Sequence, residues 1–184
     1  KLDIPIIGSA MDSVVSPKTA ALLGKFGALG VLNLEGVQTR YDNADDVLKK
    51  ISAVAKADYV DLMQTIYQQE PVKESLIRQR IQQIKDSGAP VVVSSTPAKA
   101  IEYGEIANEL AVDAFLVQST VVSTHHKSVN GNQALDLVEF SQAMSVPVWV
   151  GNSATYEVTA ALLPTGIDAI FVGIGPGAAC TTRG

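Results

Sequence analysis

Strand and helix signals alternate along this chain with few interruptions, and that alternation narrows what it can fold into. Three units are clean. Val91–Ser95 leads into a helical pattern over Pro97–Leu110; Ala114–Gln118 leads, after a loop, into Asn132–Met144; Val146–Gly151 leads into Thr155–Leu163. A last strand signal, Ala169–Gly173, opens into a glycine-rich loop. Several of these strands are almost continuously apolar, the pattern of strands covered by helices on both faces. Repeated βα units of this kind build a parallel sheet, so the expected fold class is α/β.

The first half follows the same scheme. Ile4–Ser9 reads as a strand and Pro17–Phe26 as a helix, with Ser16 as N-cap and Pro17 in its first turn. Gly30–Asn33 is a short strand, Ala44–Ala55 a helix capped by Asp42 or Asn43, and Tyr59–Gln64 another strand. Val72–Ser87 reads as a charged amphipathic helix with Leu76, Ile77, Ile81 and Ile84 on one face, closed by Gly88.

Two architectures satisfy this order, an open doubly wound sheet and a (β/α)8 TIM barrel. Polar residues gather where strands end: Ser9-Ala10-Met11-Asp12, Asn33-Leu34-Glu35-Gly36, Gln118-Ser119-Thr120, Gly151-Asn152-Ser153 and the last loop. Polar groups at the ends of many successive strands favour a barrel, whose reactive face is built from its βα loops. A switch-point crevice in an open sheet draws on fewer of them. A barrel takes about 250 residues. This chain has 184 and stops inside a loop at Arg183-Gly184. The expectation is therefore one partial barrel domain over residues 1–184, a fragment or ordered part carrying roughly the first six βα units.

Composition excludes several roles. A net charge of −5 without a Lys/Arg cluster argues against nucleic-acid or anionic-membrane partners. The apolar runs are too short to span a bilayer, and no signal peptide is visible. A single cysteine excludes an internal disulfide and fits a reducing compartment. A soluble, cytoplasmic protein is expected.

The chemistry concentrates in Ile170-Phe171-Val172-Gly173-Ile174-Gly175-Pro176-Gly177-Ala178-Ala179-Cys180-Thr181-Thr182-Arg183. Glycines at 173, 175 and 177 let backbone carbonyls or amides turn toward a ligand. A lone cysteine on such a polar loop, after a strand end, is a nucleophile candidate. The adjacent His125-His126 pair lacks the partner spacing of a metal site and reads as a solvated or cofactor-lining loop. Asp42–Lys50, with opposite charges four apart, reads as a solvated helix face.

The cysteine loop closely resembles the catalytic loop of the IMP dehydrogenase/GMP reductase family, whose cysteine attacks C2 of a purine nucleotide. Three further segments carry the same resemblance. Pro5-Ile6-Ile7-Gly8-Ser9-Ala10-Met11-Asp12-Ser13-Val14 is similar to the end of the family's first barrel strand. Gly27-Ala28-Leu29-Gly30-Val31-Leu32-Asn33 is similar to its second strand, and Val150-Gly151-Asn152-Ser153-Ala154-Thr155 to a later strand end. The resemblance implies an NAD-dependent oxidation of IMP to XMP, with Cys180 as nucleophile and Thr182 helping to position the hydrolytic water. It implies substrate binding by Ser9, Met11, Asn152, Gly175 and Ala178, and cofactor binding by Gln118, Ser119 and Gly173. K+ would be held by the backbone carbonyls of Gly175, Gly177 and Cys180. Family members are homotetramers or octamers.

Three departures qualify the likeness. The Leu34–Gly88 stretch is too short for the pair of CBS modules that family members usually insert, so the CBS-less dehydrogenase-related subgroup is the nearer match, without the usual nucleotide regulation. Ala178 stands where a serine commonly contacts the substrate phosphate, a lost donor worth roughly 1–3 kcal/mol. Gln118 stands where a carboxylate is expected near the nicotinamide ribose. Two alternatives follow: a GMP reductase, which shares the loop and would use NADPH, and a non-catalytic nucleotide-binding paralogue that Ala178 and Gln118 would suit.

Overall fold

A computed structural model describes residues 2–55, 58–118 and 135–173. Cys180, Thr182, Gly175, Gly177, Ala178 and Ser119 lie outside the described residues, as do His125 and His126. Residues 1–93 and 94–184 form two compact units.

The first unit opens with β1 (Ile7–Gly8), paired in parallel with β2 (Leu29–Asn33) through Ile7 opposite Leu29 and Gly8 opposite Gly30. Between them runs α1 (Pro17–Lys25). The capping reading is borne out: the Ser16 hydroxyl accepts from the Thr19 N–H at 3.2 Å, and the Thr19 hydroxyl accepts from the Ser16 N–H at 2.6 Å. Each thereby satisfies a donor that the helix itself leaves open. β2 is buried along Leu29–Leu32, as a strand covered on both faces must be.

After β2 come a 3-10 turn (Val37–Thr39) and three helices, α2 (Ala44–Ala53), α3 (Tyr59–Gln69) and α4 (Glu74–Asp86). The strand expected over Tyr59–Gln64 is thus the first half of α3. Its apolar residues Tyr59, Leu62, Met63, Ile66 and Tyr67 recur at the three- and four-residue spacing of one helix face. From that face Leu62, Ile66 and Tyr67 close a small core with Val37, Ala44, Leu48 and Ile51. The period, visible only over the longer window, outweighs the β-prone opening Tyr59-Val60.

α4 buries Leu76, Ile77, Ile81 and Ile84 as expected, but also Arg80. The Arg80 guanidinium donates to the carbonyls of Gln38 (2.9 Å), Tyr41 (3.1 Å) and Asp42 (2.9 Å), and to Gln83 Oε1 (3.3 Å). A buried cation is tolerable because its donors are satisfied. It fastens the loop after β2 to α4. Gly88 takes φ +75°, the left-handed turn expected after a helix end. β3 (Val92–Ser95) follows, buried throughout.

The second unit contains α5 (Ala100–Glu109), β4 (Ala114–Gln118), α6 (Leu137–Ala143), β5 (Val148–Ser153), α7 (Tyr156–Leu162) and β6 (Ala169–Val172). β4, β5 and β6 lie side by side in chain order, all parallel. α6 starts later than its expected Asn132, where Asp136 caps it by accepting from Val138 and Glu139, whereas α7 begins as expected, its cap Thr155 accepting from Val158. Among the described residues no helix is long and apolar enough to cross a membrane.

Candidate active site

The expected substrate and cofactor residues that are described stand at C-terminal strand ends. In the second unit, Gln118 closes β4 opposite Gly151 of β5, which in turn lies opposite Phe171 of β6. Above them stand Asn152 and Ser153 on β5, and Val172 on β6 followed by Gly173. The Asn152 side-chain amide donates to the Gly173 carbonyl at 2.9 Å, and the Gly173 N–H donates to the Ser153 carbonyl at 2.8 Å. Gln118, Asn152 and Gly173 are therefore brought to adjoining strand ends.

Packing below that level explains the placement. Gly151 has no room for a side chain, since a Cβ there would stand 2.5 Å from Phe171 Cβ. Trp149 packs its ring against Phe171 with centroids 5.8 Å apart. Ser153 turns inward, fully buried, its hydroxyl 2.6 Å from that of Thr159. Asn152 beside it is half-buried, at the step between Gly151 and Ser153 where the β5–β6 register shifts. Gly173 has φ +115°, a backbone conformation that favours glycine, and among the described residues nothing lies within 4 Å of the place a Cβ would take.

In the first unit, Ser9 and Met11 follow β1 directly. Both are exposed, Met11 to 50%, so Met11 fills no core. The turn is self-bonded: the Met11 N–H donates to the Ser9 carbonyl at 2.8 Å, and the Met11 carbonyl accepts from Val14 and Val15 at 2.9 Å each. Met11 lines a cavity of about 350 Å³ with Asn33, Ile51, Met63 and Tyr67.

Asp12, within the quoted motif but given no role from sequence, is the connecting residue here. Its Oδ2 accepts from the Val37 N–H at 3.0 Å and from the Tyr67 hydroxyl. Burial, and then the hydrogen bond to Asp12, raises the Tyr67 phenol well above its ordinary pKa, so it remains a donor at neutral pH. Arg40 stacks over the Tyr67 ring at 5.1 Å and donates to the carbonyls of Glu35 (3.1 Å), Tyr67 (3.1 Å) and Glu70 (2.7 Å). Sequence reasoning missed Tyr67 and Arg40. Tyr67 sits just past the segment read as a strand, and its helical spacing was the available signal.

The sequence profile of the IMP dehydrogenase / GMP reductase domain matches residues 1–184. The chain belongs to this family. An uncharacterised oxidoreductase of Mycobacterium tuberculosis is 27% identical over 187 residues, covering 99% of this chain and 49% of that protein. The inosine-5′-monophosphate dehydrogenase of Cryptosporidium parvum is 28% identical over 188 residues, 99% of this chain and 46% of that enzyme. Among solved structures, an IMP dehydrogenase/GMP reductase-like protein from Corynebacterium glutamicum superposes with a TM-score of 0.85 at 31% identity, over 95% of this chain and 46% of that one. The chain spans about half the length of these relatives. The parallel α/β strands and helices described above are thus those of a member of this family.

Proposed function

We propose that the chain is the leading part of a (β/α)8 barrel, about its first six units, in an enzyme that oxidises IMP to XMP with NAD. The observation that supports this most is the family match through all 184 residues, which includes the Cys180 loop. The C-terminal strand ends support it too, because Ser9, Met11, Asn152 and Gln118 are left uncommitted to the core, exposed or half-buried.

In this reading the Cys180 thiolate adds to C2 of IMP, and the loop must favour the anion over the thiol. Bound NAD would supply the acceptor for the hydride that leaves C2. Water then attacks C2 of the cysteine thioimidate, with Thr182 positioning it, and the Cys180 thiolate departs as XMP is released. Gln118 and Gly173 fit a cofactor subsite: one offers an amide at a half-buried strand end, the other a left-handed glycine backbone without a side chain. The assignment of K+ to the carbonyls of Gly175, Gly177 and Cys180 rests on the wording of the loop. Ser9 and Asn152 hold the nucleotide, and a cytoplasmic homotetramer is the expected assembly.

The test uses the full-length protein with IMP, NAD and K+, following NADH by absorbance beside a Cys180→Ala control. NADH formation abolished by the substitution is the expected result. A folded protein that binds IMP and forms no NADH refutes the reading. Turnover of GMP with NADPH would then assign the reductase activity instead.

A further inference from the structure

Asp12 is the place where polar groups from elsewhere in the first unit grip the turn that carries Ser9 and Met11. The turn's backbone bonds are internal to it, apart from the Thr19 hydroxyl of α1 on the Val14 carbonyl. Asp12 reaches outward instead, to the Val37 N–H of the loop after β2 and to the Tyr67 hydroxyl of α3. Its other oxygen, Oδ1, is buried with no hydrogen-bond partner among the described residues, covered by the backbone of Gly36. A carboxylate that leaves one oxygen unpaired in a buried position is held there by its surroundings. Those surroundings are fixed in turn: Arg40 ties the Tyr67 end of α3 to the loop after β2 through three carbonyls.

We infer that Asp12 and Tyr67 form a latch that positions the Ser9–Met11 turn for the nucleotide, with Arg40 bracing Tyr67. The inference deepens the proposed function, since it rests on that turn meeting the substrate. Asp12 and Tyr67 act here as positioning residues, through Met11 and Ser9, and touch no reacting atom.

The experiment compares the full-length protein with its Tyr67→Phe and Asp12→Asn variants in two readouts. The first is steady-state kinetics with IMP and NAD. The second is nuclear magnetic relaxation of the Met11 ε-methyl, with the Met63 methyl, on α3 in the same cavity, as internal reference. Tyr67→Phe removes one donor to a carboxylate and should raise KM for IMP about tenfold with kcat nearly unchanged. The Met11 methyl should become more mobile while that of Met63 does not, and Asp12→Asn should fall between parent and Tyr67→Phe. Variants that melt lower yet keep the parent KM and Met11 mobility overturn the latch and leave the proposed function standing. If the parent protein does not oxidise IMP, the proposed function fails separately. Met11 mobility then decides the latch alone: a rise confined to Met11 supports it, and no rise overturns it.

Discussion

Substituting Gly36 by Ala tests the packing around Asp12 with one methyl group. The backbone at Gly36, φ −88° and ψ −167°, is one that alanine adopts freely, so conformation sets no penalty. By itself, Gly→Ala at such a site stabilises by roughly 0.4–1 kcal/mol, through the entropy of the unfolded chain. Space decides the other way. A Cβ at Gly36 would stand 2.7 Å from Asp12 Cγ and 2.8 Å from Oδ2, with Oδ1 closer still. The carboxylate must swing out, giving up the Val37 N–H and the Tyr67 hydroxyl. Hydrogen bonds to a charged group are worth about 1.5–3 kcal/mol each. Water can reach a half-buried carboxylate once it has moved, and the entropy gain offsets part of the loss. A net destabilisation of about 2–4 kcal/mol follows.

The control that isolates the cause is the Asp12→Ala background. With the carboxylate gone, Gly36→Ala should become neutral or slightly stabilising, so the two substitutions are strongly coupled in a double-mutant cycle. Equilibrium urea unfolding of the full-length protein, followed by circular dichroism, measures all four corners. If Gly36→Ala costs the same with and without Asp12, or costs nothing in the parent, the packing argument is wrong.

Three other outcomes are expected. Arg80→Ala strands the buried carbonyl of Gln38 and removes a donor from the part-buried carbonyls of Tyr41 and Asp42, and should cost about 2–4 kcal/mol in urea unfolding; Arg80→Lys should recover little, since an ammonium cannot reach three carbonyls as the planar fork does. Gly151→Ala, pressed against Phe171 Cβ at 2.5 Å, should destabilise by about 1–3 kcal/mol and lower the thermal midpoint. Tyr67 has its pKa raised in the folded state, so its contribution is fully present below the unfolded value of 10.0 and is lost as pH rises above it. Tyr67→Phe should therefore flatten the alkaline loss of stability, and tyrosinate absorbance in the parent should show a phenol that ionises only on unfolding.

The parallel α/β scheme was legible because its strands announce themselves locally. Val91–Ser95 and Ala114–Gln118 are short, apolar and bounded by turns, and β3 and β4 fall within a residue of them. The start of α6 was harder, since its cap Asp136 falls inside the stretch expected to be helical, whereas Thr155 marks the start of α7 as expected. Tyr59–Gln64 failed for the opposite reason. Six residues beginning with an aromatic and a valine fit a strand, and the face that makes them helical extends to Tyr67.

The site divides along the same line. Asn152 and Gln118 could be picked out because they end strands, and a strand end is a local fact with a known consequence in βα proteins. Asp12 could be read only as part of a motif, because what it does depends on Tyr67, 55 positions away. Nothing near Asp12 in sequence signals that partner, and nothing near Tyr67 signals more than a helix face. Gly36 belongs to the same arrangement. Its backbone angles would admit any residue, so the need for glycine arises only once the Asp12 carboxylate is folded against it. The coupling expected between positions 12 and 36 is thus the direct test of whether this part of the site is tertiary in origin and not a local property of either segment.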